Sequence, residues 1–228
     1  MATLLLRLAA PLQSWGADSK FETRKTNREP TKSGVLGMLA AALGLRRDDD
    51  AGLARLSGLR FAVRADREGS LLVDFHTAIR EEDRRKGKAP YVTYRHYLQD
   101  AVFLVGLESE DTALLEELKE ALRHPVYPLY LGRRSCPPTL PLCLGVRSEA
   151  LMDAMQQEPP LTQRVGSKTL RVTADADPED ERAVPQCDQP VSFSPIHRQY
   201  GFRPVREWTV ALPEMPGTTE HDAMAELR

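Results

Sequence analysis

Apolar residues along this chain fall into short, well-separated runs. Thr3–Ala10 is almost wholly apolar and stops at Pro11, the pattern of a strand buried on both faces. Leu36, Leu39, Ala40 and Leu43 then recur at helical spacing. Pro30 precedes them, Thr31 or Ser33 can cap the start, and Gly44 can end the helix. Arg46–Gly58 reads as a connecting turn of helix. Phe61, Val63 and Ala65 alternate with Ala62, Arg64 and Asp66, giving a second strand, and Arg67–Ser70 turns into a third, Leu71–Ile79. Its Leu71, Val73, Phe75 and Ile79 read as the core face, with Asp74, His76 and Arg80 opposite on a solvated or ligand-facing side. An apolar run from Tyr97 to Leu107 contains the fourth strand, Ala101–Leu107. Leu114, Leu115, Leu118 and Leu122 mark a helix over Asp111–Arg123, with Pro125 beyond its end.

The order strand, helix, strand, strand, helix becomes the ferredoxin-like βαββαβ pattern with one more strand, for which Leu140–Val146 or Val126–Leu131 would serve. The fold class is therefore α+β, ferredoxin-like. RNA recognition motifs share that topology, but the aromatic octapeptide that marks them is absent, so topology alone assigns no function. Beyond residue 147, Ser148–Gln157 suits a helix, and Val165–Thr173 and Trp208–Leu212 suit strands. Asp175–Pro195 reads as an acidic, proline-bearing connector, and Thr218–Arg228 as a loose tail or short helix. The expected organisation is a main domain over 1–147, a C-terminal extension or subdomain over 148–213 and a tail over 214–228.

The chain of 228 residues is long enough to bury its own core. A net charge of -2 conceals local asymmetry: residues 20–32 hold five bases and two acids, whereas 175–188 hold six acids and one base. Three cysteines without a CxxC pair suit reduced thiols in a cytosolic protein. With no apolar run of membrane-spanning length and no signal-peptide pattern, a soluble cytoplasmic protein without membrane contact is expected. The five histidines show no metal-ligand spacing, so neither metal nor cofactor is expected.

Candidate chemistry gathers in three polar stretches. Arg80–His96, seventeen residues, is far longer than a usual hairpin loop. It carries Arg84, Arg85, Lys86, Lys88 and Arg95 beside Tyr91 and Tyr94. Such cations neutralise phosphates, and tyrosine rings stack on unpaired bases. A solvated charged loop is the plainer reading. Residues 17–30 form a second long polar loop with Arg24, Lys25 and Arg28, preceded by Gln13 and by Trp15, whose exposed or half-exposed indole is either a stacking platform or a lid on the core. Lys32, Ser33 and Gly34 open the first helix, where free N–H groups favour an anion; the glycines equally suit close packing on the sheet. The third stretch, Tyr127–Pro138, places Arg133, Arg134 and Ser135 in a stiff loop before a double proline, able to hold phosphates or to cap a helix end.

With LLLRLAAPLQSWG, PTKSGVLGMLAAALGLRRDD, DFHT, YRHYLQDAVFLVGL, LYLGRRSCP and REWTV on the page, the sequence resembles the CasD family of type I-E Cascade, the bacterial CRISPR surveillance complex. The likeness spans nearly the whole chain and fades between about 148 and 205. It implies a ferredoxin-like fold of the repeat-associated RAMP superfamily with an inserted thumb, here about 80–97. It also implies a non-catalytic subunit that caps the 5′ handle of guide RNA beside the CasC backbone and large CasA subunits, in a complex that engages double-stranded DNA. The implied RNA-binding set is Gln13, Trp15, Arg24, Lys25, Arg28, Lys32, Ser33, Gly34, Arg84, Arg85, Lys86, Lys88, Tyr94, Arg95, Arg133, Arg134 and Ser135, with no catalytic residue. The alternative is a metal-independent endoribonuclease that processes repeat RNA, for which His76, His96, Tyr94 and Lys88 are the right chemical types.

Overall fold

Strands β1 (Ala2–Ala9) and β9 (Val102–Ser109) lie side by side in the interior of the sheet, and both are apolar on both faces. The architecture is that of a computed structural model describing residues 1–16, 22–162 and 169–211. The elements between them are short strands β2 (Leu12–Gln13), β3 (Trp15–Gly16), β4 (Thr23–Arg24) and β5 (Thr26–Asn27), helices α1 (Lys32–Leu43) and α2 (Asp50–Ser57), strands β6 (Arg60–Arg67) and β7 (Ser70–Ala78), helix α3 (Glu81–Arg85) and strand β8 (Tyr91–Gln99). After β9 come α4 (Thr112–Arg123), β10 (Cys143–Arg147), α5 (Leu151–Gln157), β11 (Thr169–Asp175), β12 (Val184–Ser192) and β13 (Gln199–Ala211).

Seven strands form the main sheet in the order β10-β1-β9-β6-β11-β13-β12, with antiparallel neighbours throughout. β1 and β9 pair from Ala2 opposite Ser109 to Ala9 opposite Val102. Period-two alternation divides their side chains between two cores. Leu4, Leu6, Leu8, Phe103 and Val105 meet α1 and α4 on one side, and Leu5 and Leu104 meet Leu151 and Met155 of α5 on the other. Thr31 caps α1 by accepting from the Gly34 N–H, and Gly44, at φ +77°, ends it. Both boundaries follow the sequence expectation, and β10 is the strand expected within Leu140–Val146.

Three expectations change. The apolar run Tyr97–Leu107 is two strands, because the chain turns at Asp100, which adopts φ 57°. β8 leaves the main sheet there and pairs with β7 from Ser70–Gln99 out to Ala78–Tyr91, so most of the expected basic loop is a hairpin arm with α3 near its tip. On this arm Leu71, Val73 and Phe75 are exposed rather than core, because no layer packs on that face. Finally, the expected acidic connector contains β12. Its Pro185 and Pro190 would break a central strand, but β12 is the sheet's edge, where a missing N–H leaves no gap in the ladder. Residues after 147 thus extend the same sheet, through β11 pairing on β6. Lys20, Phe21, the start of the strand expected at Val165, Leu212 and the tail over 214–228 lie outside the described residues.

Candidate nucleic-acid interface

The hairpin is fixed to the body by the segment before α1. β4 runs parallel to β8, Thr23 beside Tyr94 and Arg24 beside Arg95, and the Tyr94 N–H donates to the Glu22 carbonyl at 2.7 Å. Facing pairs place Asp74, His76, Thr93, Arg95 and Tyr97 on one side of the hairpin, and Val73, Phe75, Tyr94 and His96 on the other. The Leu129–Pro138 loop meets the first of these sides. Gly132, at φ +84°, passes so close to Ser14 that an added Cβ would sit 1.6 Å from the Ser14 carbonyl oxygen. Only glycine allows that crossing of two backbones, which is pinned by Ser14 N–H donating to the Leu131 carbonyl.

Arg133, the next residue, lays its guanidinium 4.6 Å from the Tyr97 ring centre and donates through Nη2 to the Arg24 carbonyl at 2.8 Å. Its Nη1 and the Nε of Arg95 are buried and have no hydrogen-bond partner among the described residues. A buried donor without an acceptor costs about 1–3 kcal/mol. Arg95 lies on the same hairpin face as Tyr97, on which Arg133 stacks, so both guanidiniums serve that face as a cradle suited to an anion with several acceptor oxygens, such as a phosphate.

A groove of about 2070 Å³ lies next to this cradle, along the small-residue face of α1. Ser33, Gly34, Gly37 and Ala41 line its floor. Tyr130 and Arg134 from the Leu129–Pro138 loop line it, as do Phe193 and Arg198 from the connection between β12 and β13 and Tyr200 from the start of β13. Its acids are occupied by the protein's own cations: Glu29, Glu68 and Glu207 with Arg171, Asp48 with Arg46, and Asp188 with Arg203. Arg28, Arg47, Arg134 and Arg198 also line it and join no ion pair among the described residues. Three of the acids share the one charge of Arg171, so six arginines against five acids leave the groove lining at a formal charge of +1.

Four sequence expectations are corrected here. Trp15 is fully buried rather than exposed, its indole N–H donating to Gln13 Oε1 at 3.1 Å. Gln13 is equally buried and donates to the Leu8 and Ala101 carbonyls, so both side chains belong to the core. Lys32 is buried and paired with Asp175 at 3.0 Å, and burial pulls its ammonium below the ordinary pKa, with Asp175 opposing. The anion position at the start of α1 is filled from within: the Lys32 N–H donates to Asp188 Oδ2 at 2.8 Å and the Gly34 N–H to Thr31 Oγ1 at 3.2 Å. Gly34 serves packing, since an added Cβ would lie 3.0 Å from the Trp15 ring.

The remaining candidates divide by place. Arg24 and Lys25 are exposed beside the cradle that Arg95 and Arg133 build. Arg28, Ser33 and Arg134 line the groove, and Ser135 is exposed one residue further on. Tyr94 stands on the opposite hairpin face, edge-on to Phe75 at 5.8 Å. Arg84, Arg85, Lys86 and Lys88 are exposed near the tip, about 20 Å along β8 from Tyr97; Arg85 pairs with Glu81 and Lys88 with Asp83. Sequence reasoning missed Arg47, Phe193, Arg198 and Tyr200. Nothing in their local pattern marks them, because the groove joins them through long-range contacts.

The groups that would suit RNA cleavage do not converge. His76 bonds Asp74 on one hairpin face, His96 and Tyr94 lie on the other, and Lys88 is engaged near the tip. Among the described residues no cluster of His, Cys, Asp or Glu could hold a metal, and no helix is long and apolar enough to cross a membrane.

The fold, an antiparallel sheet flanked by few helices, is shared by a known class. The sequence profile described as CRISPR-associated protein (Cas_Cas5) matches residues 3–206, and the chain belongs to that family. It is 46% identical over 156 residues to the CRISPR system Cascade subunit CasD of Escherichia coli (strain K12), a match covering 62% of this chain and 70% of that protein. A chain of a solved CRISPR RNA-guided surveillance complex superposes with a TM-score of 0.80 at 35% identity, covering 92% of this chain and 91% of that one. A crystal structure of a Cas protein gives 0.73 at 42% identity, covering 94% and 99%.

Proposed function

We propose that this chain is a non-catalytic, RNA-binding subunit of a type I-E Cascade complex, holding the 5′ handle of guide RNA and scaffolding its neighbours in the cytoplasm. The observation that carries the reading is the pair of buried guanidinium donors on Arg95 and Arg133 that have no partner among the described residues. Their geometry suits phosphate contacts along a single strand rather than base-edge readout in a duplex groove. The strand order β10-β1-β9-β6, with α1 and α4 on one side, supports assigning residues 1–147 to the ferredoxin-like RAMP fold, and 148–213 to an extension that widens its sheet. The β7–β8 hairpin then corresponds to the thumb. Its uncovered Leu71, Val73 and Phe75 suit contact with neighbouring subunits, in our reading CasC and CasA. Double-stranded DNA would be engaged by the assembled complex. The separation of His76 from His96 supports the non-catalytic reading over repeat-RNA cleavage.

The test is an Arg133→Ala/Arg134→Ala double variant assayed for retention of handle RNA. Each lost phosphate contact is expected to lower the slope of log affinity against log salt by about 0.7 on single-stranded RNA. A folded double variant with unchanged affinity and slope would contradict the reading.

A further inference from the structure

The C-terminal hairpin, which the sequence motifs leave mostly unassigned, supplies one side of the groove described above. Its position is set by buried contacts rather than by its own turn. Asp188 of β12 accepts from the Lys32 N–H and from Arg203, so β12 is held at the start of α1. Gln189 donates to the Ser57 carbonyl, and Ser57 Oγ donates to the Pro190 carbonyl, fixing the same strand to the end of α2. Phe193 then lies over Gly37, its ring 3.6 Å from where a Cβ would stand. Arg198, at the end of the connection that follows, and Tyr200, at the start of β13, form an exposed bank of the groove that α1 and Arg134 also line.

We infer that this bank is part of the RNA site: Tyr200 stacks on an unpaired base, and Arg198 neutralises a phosphate of the same single strand. The inference rests on the guide-RNA reading and extends it to a segment that the sequence motifs leave unassigned. Two observations select the occupant. Six arginines against five acids line the groove, and Arg28, Arg47, Arg134 and Arg198 join no ion pair among the described residues, which favours an anionic occupant. Aromatic rings also line it, Tyr130 from the Leu129–Pro138 loop and Phe193 and Tyr200 from the C-terminal hairpin, which suits the flat faces of unstacked bases. A folded acidic protein would meet the charge but leave those rings unmatched.

The experiment uses the full chain and a 3′-fluorescein-labelled single-stranded RNA carrying the guide's 5′ handle, titrated at several salt concentrations. Arg198→Ala is expected to lower the log–log salt slope by about 0.7. Tyr200→Ala is expected to weaken binding about tenfold, with Tyr200→Phe close to the unmodified chain. Both side chains are exposed, so melting temperatures should stay unchanged. If the unmodified chain binds and Arg133→Ala/Arg134→Ala weakens it while Arg198→Ala and Tyr200→Ala do not, the inference is overturned and the guide-RNA reading survives. Loss of a protein subunit from the complex with unchanged RNA affinity and slope would equally overturn it, making the bank a protein contact. No binding by the unmodified chain would overturn both.

Discussion

Asp188 is the residue on which the candidate site most depends without touching any ligand. Its carboxylate accepts from Arg203 Nε at 2.6 Å and Nη2 at 3.0 Å, and it caps α1 through the Lys32 N–H. Asp175 accepts from Arg203 Nη1 at 2.6 Å, Lys32 Nζ at 3.0 Å and the Phe61 N–H at 2.9 Å. Two buried cations thus face two acids, and removing one member leaves buried charge uncompensated. Lys32→Met is expected to cost about 3–5 kcal/mol in chemical denaturation. Burial lowers the Lys32 pKa from its ordinary 10.5. Between the lowered value and 10.5 the unfolded chain binds the extra proton, so the lysine's contribution to stability rises with pH across that window. The stability gap between the unmodified chain and Lys32→Met should therefore widen on alkaline titration. A gap that narrows would contradict the arrangement. None of these long-range pairs was legible in sequence, because Asp175 and Asp188 sit in a segment without periodicity. Trp15 was equally hidden: its indole can be fully buried only because Gln13, two residues earlier, supplies an acceptor.

Among the elements, the Leu129–Pro138 loop decides where the cations stand. Gly132→Ala would place a side chain in a left-handed conformation, costing about 1–2 kcal/mol before any clash. The approach to Ser14 makes the clash unavoidable, so the loop must move. Melting temperature and RNA affinity are expected to fall together in this variant; a full-affinity Gly132→Ala protein would show that the loop's position does not matter. The hairpin behaves differently. Its arm is held by regular pairing, but Arg84–Pro90 is exposed, with Gly87 at φ +67° and nothing packed against it. Trypsin should cut the free chain there first, and bound RNA with neighbouring subunits should slow that cut. Equal cleavage in both states would remove the case for a thumb that meets partners. The sequence showed this segment's charge and length. It obscured the strand within it, because alternation on a hairpin free of the core has no buried face to report.

Across the whole molecule, the elements of the first 147 residues were legible wherever apolar periodicity and capping residues agreed, as in β1, α1, β6 and α4. The extension was not, since an edge strand tolerates prolines that would exclude a central one. The cation-lined groove arises only once the sheet brings β12 and β13 to the same groove as the Leu129–Pro138 loop, so that part of its lining has no sequence signal. Charge is arranged accordingly: each acid lining the groove is engaged by an arginine, while among the described residues Arg95 and Arg133 keep buried donors without partners and Arg28, Arg134 and Arg198 join no ion pair. The central claim is that these free cations meet RNA phosphates. It is tested most directly by the salt dependence of handle-RNA binding to the purified, unmodified chain. Four or five phosphate contacts on a single strand predict a slope of log affinity against log salt of about −3. A slope near zero, or no binding at low salt, would contradict the account.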